Sequence, residues 1–411
     1  MVPFVRKQTI QVSAWVHGAL IALFLVSVPL SVGVRLKDAL TVLFGFVLIV
    51  LILLLFSRRA KCTDPLKLLC SYILLVLSMW LIDLAHSGDI YSASIFAYRR
   101  LGYFLVAFSI LLNPKVNSMH VGYPLFLFSL LHWVFAPKKV DQFGRLVLLG
   151  IIASRVTKGV LAAFGALLIL QEVTKQRSVL GHALGMSAVG LGAWLGMMTG
   201  SKTAIVMLLT GLCVYIAYMS FTRGTLGRYT GLFLVGILAS IAISLEFEHK
   251  LVSPLVNDLT QYKSRTTSFG QRIVEWIVGV REIGQWPTFL IGRGWGMLPE
   301  IVKQGVSEWG SYIDIPIQGI DHTFQSVFID TLVAYGLLVG GAYLGFIGRL
   351  WLQAFRKGDS PILTVSLLPL IAVNSFSFGN GYEVVFWVGL MLALKSRGKY
   401  GRYVEQSTSH L

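Results

Sequence analysis

Residues 246–321 read EFEHKLVSPLVNDLTQYKSRTTSFGQRIVEWIVGVREIGQWPTFLIGRGWGMLPEIVKQGVSEWGSYIDIPIQGID, and this interval decides the organisation of the chain. It is polar and punctuated by Gly and Pro, whereas the sequence on either side is almost continuously apolar. Apolar runs of about 18 to 20 residues are long enough to cross a bilayer as helices. We read twelve such spans, at 12–30, 38–56, 67–85, 97–112, 119–135, 150–170, 179–200, 203–220, 230–245, 325–347, 361–378 and 382–396. Nine precede the polar interval and three follow it. The expected fold is all-α: a polytopic membrane protein of about twelve transmembrane helices with one large loop on one side. Its parts are helices 1–9 in 1–245, the loop in 246–322, helices 10–12 in 323–396 and a short polar tail in 397–411.

Composition agrees. Of 411 residues, 55% are hydrophobic and 13% charged, and mean hydropathy is +0.73. A soluble domain carries about 25% charged residues. The net charge of +16 would suit nucleic acid, but its distribution argues against that. With the N-terminus inside, the inner segments hold 18 of the 35 Lys and Arg residues, and the short outer loops hold eight (Arg35, Lys37, Arg99, Arg100, Lys138, Lys139, Arg145 and Lys202). This is the positive-inside pattern, and it puts both termini in the cytoplasm and the large interval outside. The charge is topological, and no nucleic-acid partner is expected. Residues 1–30 read as a retained first helix, because no small-x-small cleavage site follows the apolar run. The three cysteines, Cys62, Cys70 and Cys213, lie outside the interval, so no disulfide framework holds it.

Within the interval, Thr267-Ser268 suits a helix cap, and a helix is expected from about Gln271 to Ile283, with Ile273, Ile277 and Val280 as one apolar stripe. Arg265 and Arg272 are seven apart, about two turns, and share a face if that helix starts early. Gly292-Arg293-Gly294-Trp295-Gly296 then reads as a flexible turn. No repeat of fixed period is visible, which disfavours inverted-repeat transporters.

Cations in costly places are the first chemical signal. Lys202 sits at the hinge between two spans, in Thr199-Gly200-Ser201-Lys202-Thr203-Ala204. Arg155 and Lys158 fall in the outer half of the sixth span, three apart and on one helix side. Such charges line cavities or meet anions, or else snorkel to the interface or pair with Asp83 or Asp330, which we read as the only deep acids. Arg265 and Arg272 add guanidinium forks suited to a diphosphate, with a solvated helix face as the plain alternative; Arg281 and Arg293 are weaker candidates. His322 stands where the loop re-enters the membrane, beside Asp321, and a neutral imidazole there could take a hydroxyl proton. No GxxxxGK[ST], dinucleotide fingerprint, Asp-x-Asp pair or metal-ligand cluster is present, so no metal and no cofactor is expected. Outer-facing cations with one histidine suit departure of a diphosphate leaving group.

These residues resemble the O-antigen ligases and the related O-antigen and exopolysaccharide polymerases. Ser201-Lys202-Thr203-Ala204 is similar to that family's Ser-Arg-x-Ala at the outer start of a span. Ser268-Phe269-Gly270-Gln271-Arg272, with Trp276 and Gly292-x-Gly294-x-Gly296, resembles its loop pattern, and Asp321-His322-Thr323 its closing histidine-asparagine. Gly379-Asn380-Gly381-Tyr382-Glu383 through Ala393-Leu394-Lys395 is also similar. Two positions depart: Lys202 stands for the family's arginine and Thr323 for its asparagine. The resemblance implies a GT-C-like, metal-independent inverting glycosyltransferase of the bacterial inner membrane, with a periplasmic loop and an active site facing the periplasm. It implies an undecaprenyl-diphosphate-linked glycan as donor, within membrane lipid, and lipid A-core or another glycan as acceptor. By position, Lys202 and Arg272 would bind the diphosphate and His322 would orient or deprotonate the acceptor hydroxyl. Arg265, Arg155 and Lys158 would contact substrate. The ligase is favoured over the polymerase. The rival from another class is a lipid-linked oligosaccharide flippase, disfavoured by few buried carboxylates and the large one-sided loop.

Overall fold

In a computed structural model of the protein, the described residues are 2–28, 42–43, 45–46, 63–135, 138–140, 146–148, 155–174, 179–199, 201–223, 268–313, 323–357, 360–372, 374, 376 and 381–395. Most of the second expected span, all of the ninth, and the candidates Arg265 and His322 lie outside them.

The chain runs through α1 (Val2–Ser27), α2 (Thr63–Ser87), α3 (Ile90–Leu112), α4 (Ser118–Phe135), α5 (Arg155–Val173), α6 (Val179–Met198) and α7 (Lys202–Arg223). The interval contributes α8 (Ser268–Ile283), α9 (Thr288–Ile291), a 3₁₀ turn (Trp295–Met297) and α10 (Leu298–Ile313). There follow α11 (Val327–Tyr335), a π turn (Gly336–Gly340), α12 (Gly341–Lys357), α13 (Pro361–Ser366), α14 (Leu368–Ala372) and α15 (Tyr382–Lys395). One departure from the all-α expectation is a small antiparallel hairpin between α4 and α5, β1 (Lys138–Val140) with β2 (Leu146–Leu148), Lys139 opposite Val147.

Among the described residues, six helices are long and apolar enough to cross a membrane: Pro65–Ser87, Ile90–Leu112, Ser118–Phe135, Leu180–Met198, Lys202–Met219 and the continuous Val327–Arg356. Apart from the second, of which only 42–43 and 45–46 are described, the remaining expected spans with described residues are the helices α1, α5, α13 with α14, and α15. The last is 14 residues long and buried on nearly every side, from Tyr382 to Leu394. A lipid-facing helix of that length would fall short of the hydrocarbon thickness; surrounded by protein, it has no such requirement.

Local chemistry explains the element ends and crossings. Asp89 caps α3, its carboxylate accepting from the Tyr91 N–H at 2.9 Å and from the Ser92 hydroxyl. These bonds to the charged form hold the Asp89 carboxyl below its ordinary range, the Ser92 bond contributing most. Helices α4, α5 and α6 approach closely at small residues. A β-carbon on Gly122 would meet Leu168 at 2.8 Å, and one on Gly165 would meet the Phe126 backbone nitrogen at 3.0 Å. Between apolar helices in lipid, such small-residue crossings supply the packing that hydrophobic exclusion cannot. Helix α5 is the centre of the bundle: Val160 through Leu170 are all buried.

The interval does not stand clear of the bundle. Helix α8 buries Val274, Glu275 and Val278, with Gly279 against Ile329 and Phe324, and Gly305 of α10 against Val278. The apolar stripe read from the sequence is turned outward, with Ile277 and Val280 exposed. The glycine-rich turn is not free either. The Arg293 and Gly294 N–H groups donate to the Val333 and Ala334 carbonyls at 2.9 and 2.8 Å, and Trp295 N–H donates to Asp83 Oδ1.

Candidate functional site

Helix α7 starts from a sharply wound hinge. Ser201 N–H donates back to the Gly196 carbonyl at 2.9 Å, the Thr199 hydroxyl donates to the Leu195 carbonyl, and Ser201 Oγ accepts from Ala204 N–H at 3.3 Å. Ser201 is thus the N-cap, and Lys202, exposed, is the first helical residue. The free N–H groups and partial positive charge of a helix start favour an anion, and the lysine adds a full charge there.

The hinge packs on the first turn of α5. A β-carbon on Gly159 would lie 2.5 Å from Thr199 Oγ1 and from Ser201 Cβ, so only glycine lets these two helix starts meet. One residue earlier is Lys158, buried and in electrostatic range of His132 on α4. The Tyr382 hydroxyl at the start of α15 lies in electrostatic range of both Thr157 and the Arg272 guanidinium of α8. Thr203 is paired at 3.3 Å with Asn374, which follows α14. Lys158, Lys202 and Arg272 each interact with neighbouring groups, and Arg272 is half-buried.

The start of α7 thus packs on α5 and on the segment after α14, and the Arg272 guanidinium of α8 lies in electrostatic range of the start of α15. Among the expected residues, Lys202 opens α7 and Lys158 lies in the first turn of α5, next to the Gly159 contact with that hinge; Arg155 opens α5, and Arg272 is on α8. Arg265 and His322 lie outside the described residues. Thr323, next after His322, is buried, and Phe324 N–H donates to Asp330 Oδ1 at 2.7 Å as the chain enters α11. Tyr382, Thr157 and Asn374 were missed as site residues. The signal for Tyr382 was present, in the Asn-Gly-Tyr-Glu stretch that opens the last span.

A second, fully enclosed polar group lies beneath the interval. Arg100, assigned above to an outer loop, is instead in the middle of α3 and buried. Its guanidinium carbon lies 4.8 Å from the Trp295 ring, 5.0 Å from Tyr335 and 5.9 Å from Tyr343. Asp83 accepts from Trp295 N–H at 2.6 Å and from the Tyr335 hydroxyl at 3.0 Å. Glu383 accepts from the Tyr343 hydroxyl and Trp387 Nε1 at the long end of hydrogen-bond range. Glu383 and Glu275 are both buried, so Asp83 and Asp330 are not the only deep acids. This group is a structural clasp: its charges face one another and aromatic rings.

A cleft of about 500 Å³ separates α8 from α10, lined by Arg281, Gln285, Arg293, Glu300, Gln304 and Glu308 among others. Arg281 meets Glu308 at 4.0 Å. With carboxylates matching its arginines, the cleft does not favour an anion.

No family model matches the chain, and no curated protein matches it. Among solved structures it is similar to a chain from work described as structural coordination of polymerization and crosslinking by a peptidoglycan synthase complex. The identity is 19% and the TM-score 0.45, covering 82% of this chain and 97% of the other.

Proposed function

We propose that the protein is a membrane glycosyltransferase that moves a glycan from undecaprenyl diphosphate to an acceptor hydroxyl, and that it is first an O-antigen ligase acting on lipid A-core. What supports this reading is that Gly159, next to Lys158, packs on Ser201, next to Lys202, while Arg272 acts electrostatically on the Tyr382 hydroxyl. A diphosphate leaving from an anomeric carbon develops negative charge, and fixed cations at a helix start stabilise it more in the transition state than before. Arg272 offers the bidentate fork; Lys202 offers a point charge on the N-terminus of α7.

In this reading the acceptor oxygen attacks the anomeric carbon from the face opposite the diphosphate. The glycosidic C–O bond forms as the C–O bond to phosphate breaks, with inversion, and the hydroxyl proton passes to His322. Arg265 and Arg155 serve the same anionic substrate. The protein sits in the bacterial inner membrane with this end facing the periplasm, and no cofactor takes part.

The second reading within the same chemistry is a repeat-unit polymerase, because leaving group and scaffold are common to both. Purified protein in liposomes, given carrier-linked glycan with lipid A-core and then with carrier-linked repeats alone, separates them. Glycan on lipid A-core supports the ligase; lengthened carrier-linked chains support the polymerase. Protein that binds the carrier yet yields neither product contradicts the transferase reading.

A further inference from the structure

The outward stripe of α8 is one part of a larger unexplained surface. Val280 is 61% exposed, Trp286 74%, Phe289 44% and Ile291 47%. These residues follow one another through α8, the turn after it and α9. The charged residues of the same segment, Arg281, Glu282 and Arg293, line the cleft toward α10 instead. The segment is thus two-sided, charged toward its own loop domain and apolar away from it.

Its position on the bundle says what covers the apolar side. Helix α9 crosses the break between α11 and the π turn so closely that a β-carbon on Gly336 would lie 2.3 Å from the Leu290 carbonyl oxygen. Gly336 is nine residues beyond the start of α11, about 13 Å along the helix. Counting outward from Arg349, the first cation toward the other end of this helix, about 20 residues span the hydrocarbon layer, which places Gly336 about 10 Å inside it. The next two residues, Leu337 and Leu338, are exposed to the bundle's surroundings at 49% and 64%, so the apolar face of α9 continues a lipid-facing surface. On the other flank, Trp295 meets Asp83, four residues short of the end of α2.

The main chain of the turn is treated as membrane depth requires. Irregular backbone among acyl chains is tolerated only where protein satisfies its polar groups. The N–H groups of Gly292, Arg293, Gly294 and Trp295 all have protein acceptors: the Thr288, Val333 and Ala334 carbonyls and Asp83.

We propose that residues 280–295 form a re-entrant membrane element, with Val280, Trp286, Phe289 and Ile291 against the acyl chains of the leaflet nearest the interval. It stands independently of the transferase reading. The test uses the full chain in liposomes, with Cys62, Cys70 and Cys213 replaced by serine and a nitroxide attached to Trp286→Cys, Phe289→Cys or Ile291→Cys in turn. Leu338→Cys is the lipid reference, and Lys303→Cys, exposed on α10, the aqueous one. Collision with oxygen relative to a water-soluble nickel complex should match Leu338→Cys and exceed Lys303→Cys several-fold. Ratios matching Lys303→Cys would place the segment in water and overturn the proposal. Low collision with both reagents at all three sites would mean a protein partner covers this face, and would overturn it equally.

Discussion

Trp295 and Asp83 are joined by a 2.6 Å hydrogen bond from the backbone N–H of Trp295 to the carboxylate, across 212 positions of sequence. It ties the interval to α2, and the Tyr335 hydroxyl on the other carboxylate oxygen ties α11 to the same point. Asp83→Ala leaves two buried donors unpaired and Arg100 with less compensation, at about 1–3 kcal/mol for each donor. Thermal unfolding in detergent should show a clear loss for Asp83→Ala and a smaller one for Asp83→Asn, whose amide oxygen still accepts from Trp295. Equal stability of all three proteins would remove the clasp from the fold's support.

Gly292 and Gly336 face each other's chains across this crossing. Both have positive φ with extended ψ, a conformation essentially confined to glycine. Alanine at either position adds a β-carbon 2.3 Å from a carbonyl oxygen, so strain and overpacking of about 1–3 kcal/mol each are expected. Gly190→Ala in α6 meets open space and should be neutral. Size-exclusion profiles and melting temperatures of the three variants decide this; a neutral Gly336→Ala would mean the crossing is not close.

Lys202→Arg replaces a point charge at the start of α7 with a guanidinium fork that can bind phosphate oxygens in pairs. It should retain or raise transfer, whereas Lys202→Ala should lower it about 10²- to 10³-fold, the usual consequence of deleting one charge-stabilising donor. Steady-state transfer rates with carrier-linked donor distinguish the two. A loss in Lys202→Arg as deep as in Lys202→Ala would show that shape, not charge, matters here.

His322→Ala is expected to reduce turnover by about 10²- to 10⁴-fold with little change in donor affinity, as removal of a general base does. Single-turnover rates alongside donor-binding measurements check this, and unchanged turnover takes His322 out of the mechanism. Among the described residues no group of three His, Cys, Asp or Glu could hold a metal ion. Transfer is expected to continue in excess chelator; its loss, restored by a divalent cation, would argue for metal-assisted departure of the diphosphate.

The helices were legible because a bilayer-crossing helix needs one property, a long apolar run, and sequence displays it directly. Lys202 stood out because a cation at a hinge between apolar segments is costly without a purpose; the structure places it, exposed, at the start of α7. The clasp was not legible. Arg100 read as a cation of a short outer loop and Glu383 as the end of a motif opening the last span, and nothing local reveals that Asp83, Trp295 and Tyr335 arrive from distant positions to enclose Arg100. The direction of the α8 stripe was hidden for a related reason. Periodicity identifies a face made by Ile273, Ile277 and Val280, but what covers that face depends on where the helix docks. Glycines at 279 and 305 set that docking, and their role appears only when Ile329 and Val278 are seen against them.

The most direct test of the central claim is the rate at which purified protein carrying Arg272→Ala and Lys202→Ala together releases undecaprenyl diphosphate while transferring its glycan. With both cations gone, transfer should fall by at least about 10³-fold while the protein remains folded and monodisperse. Full transfer by that double variant would contradict the assignment of these residues to the leaving group.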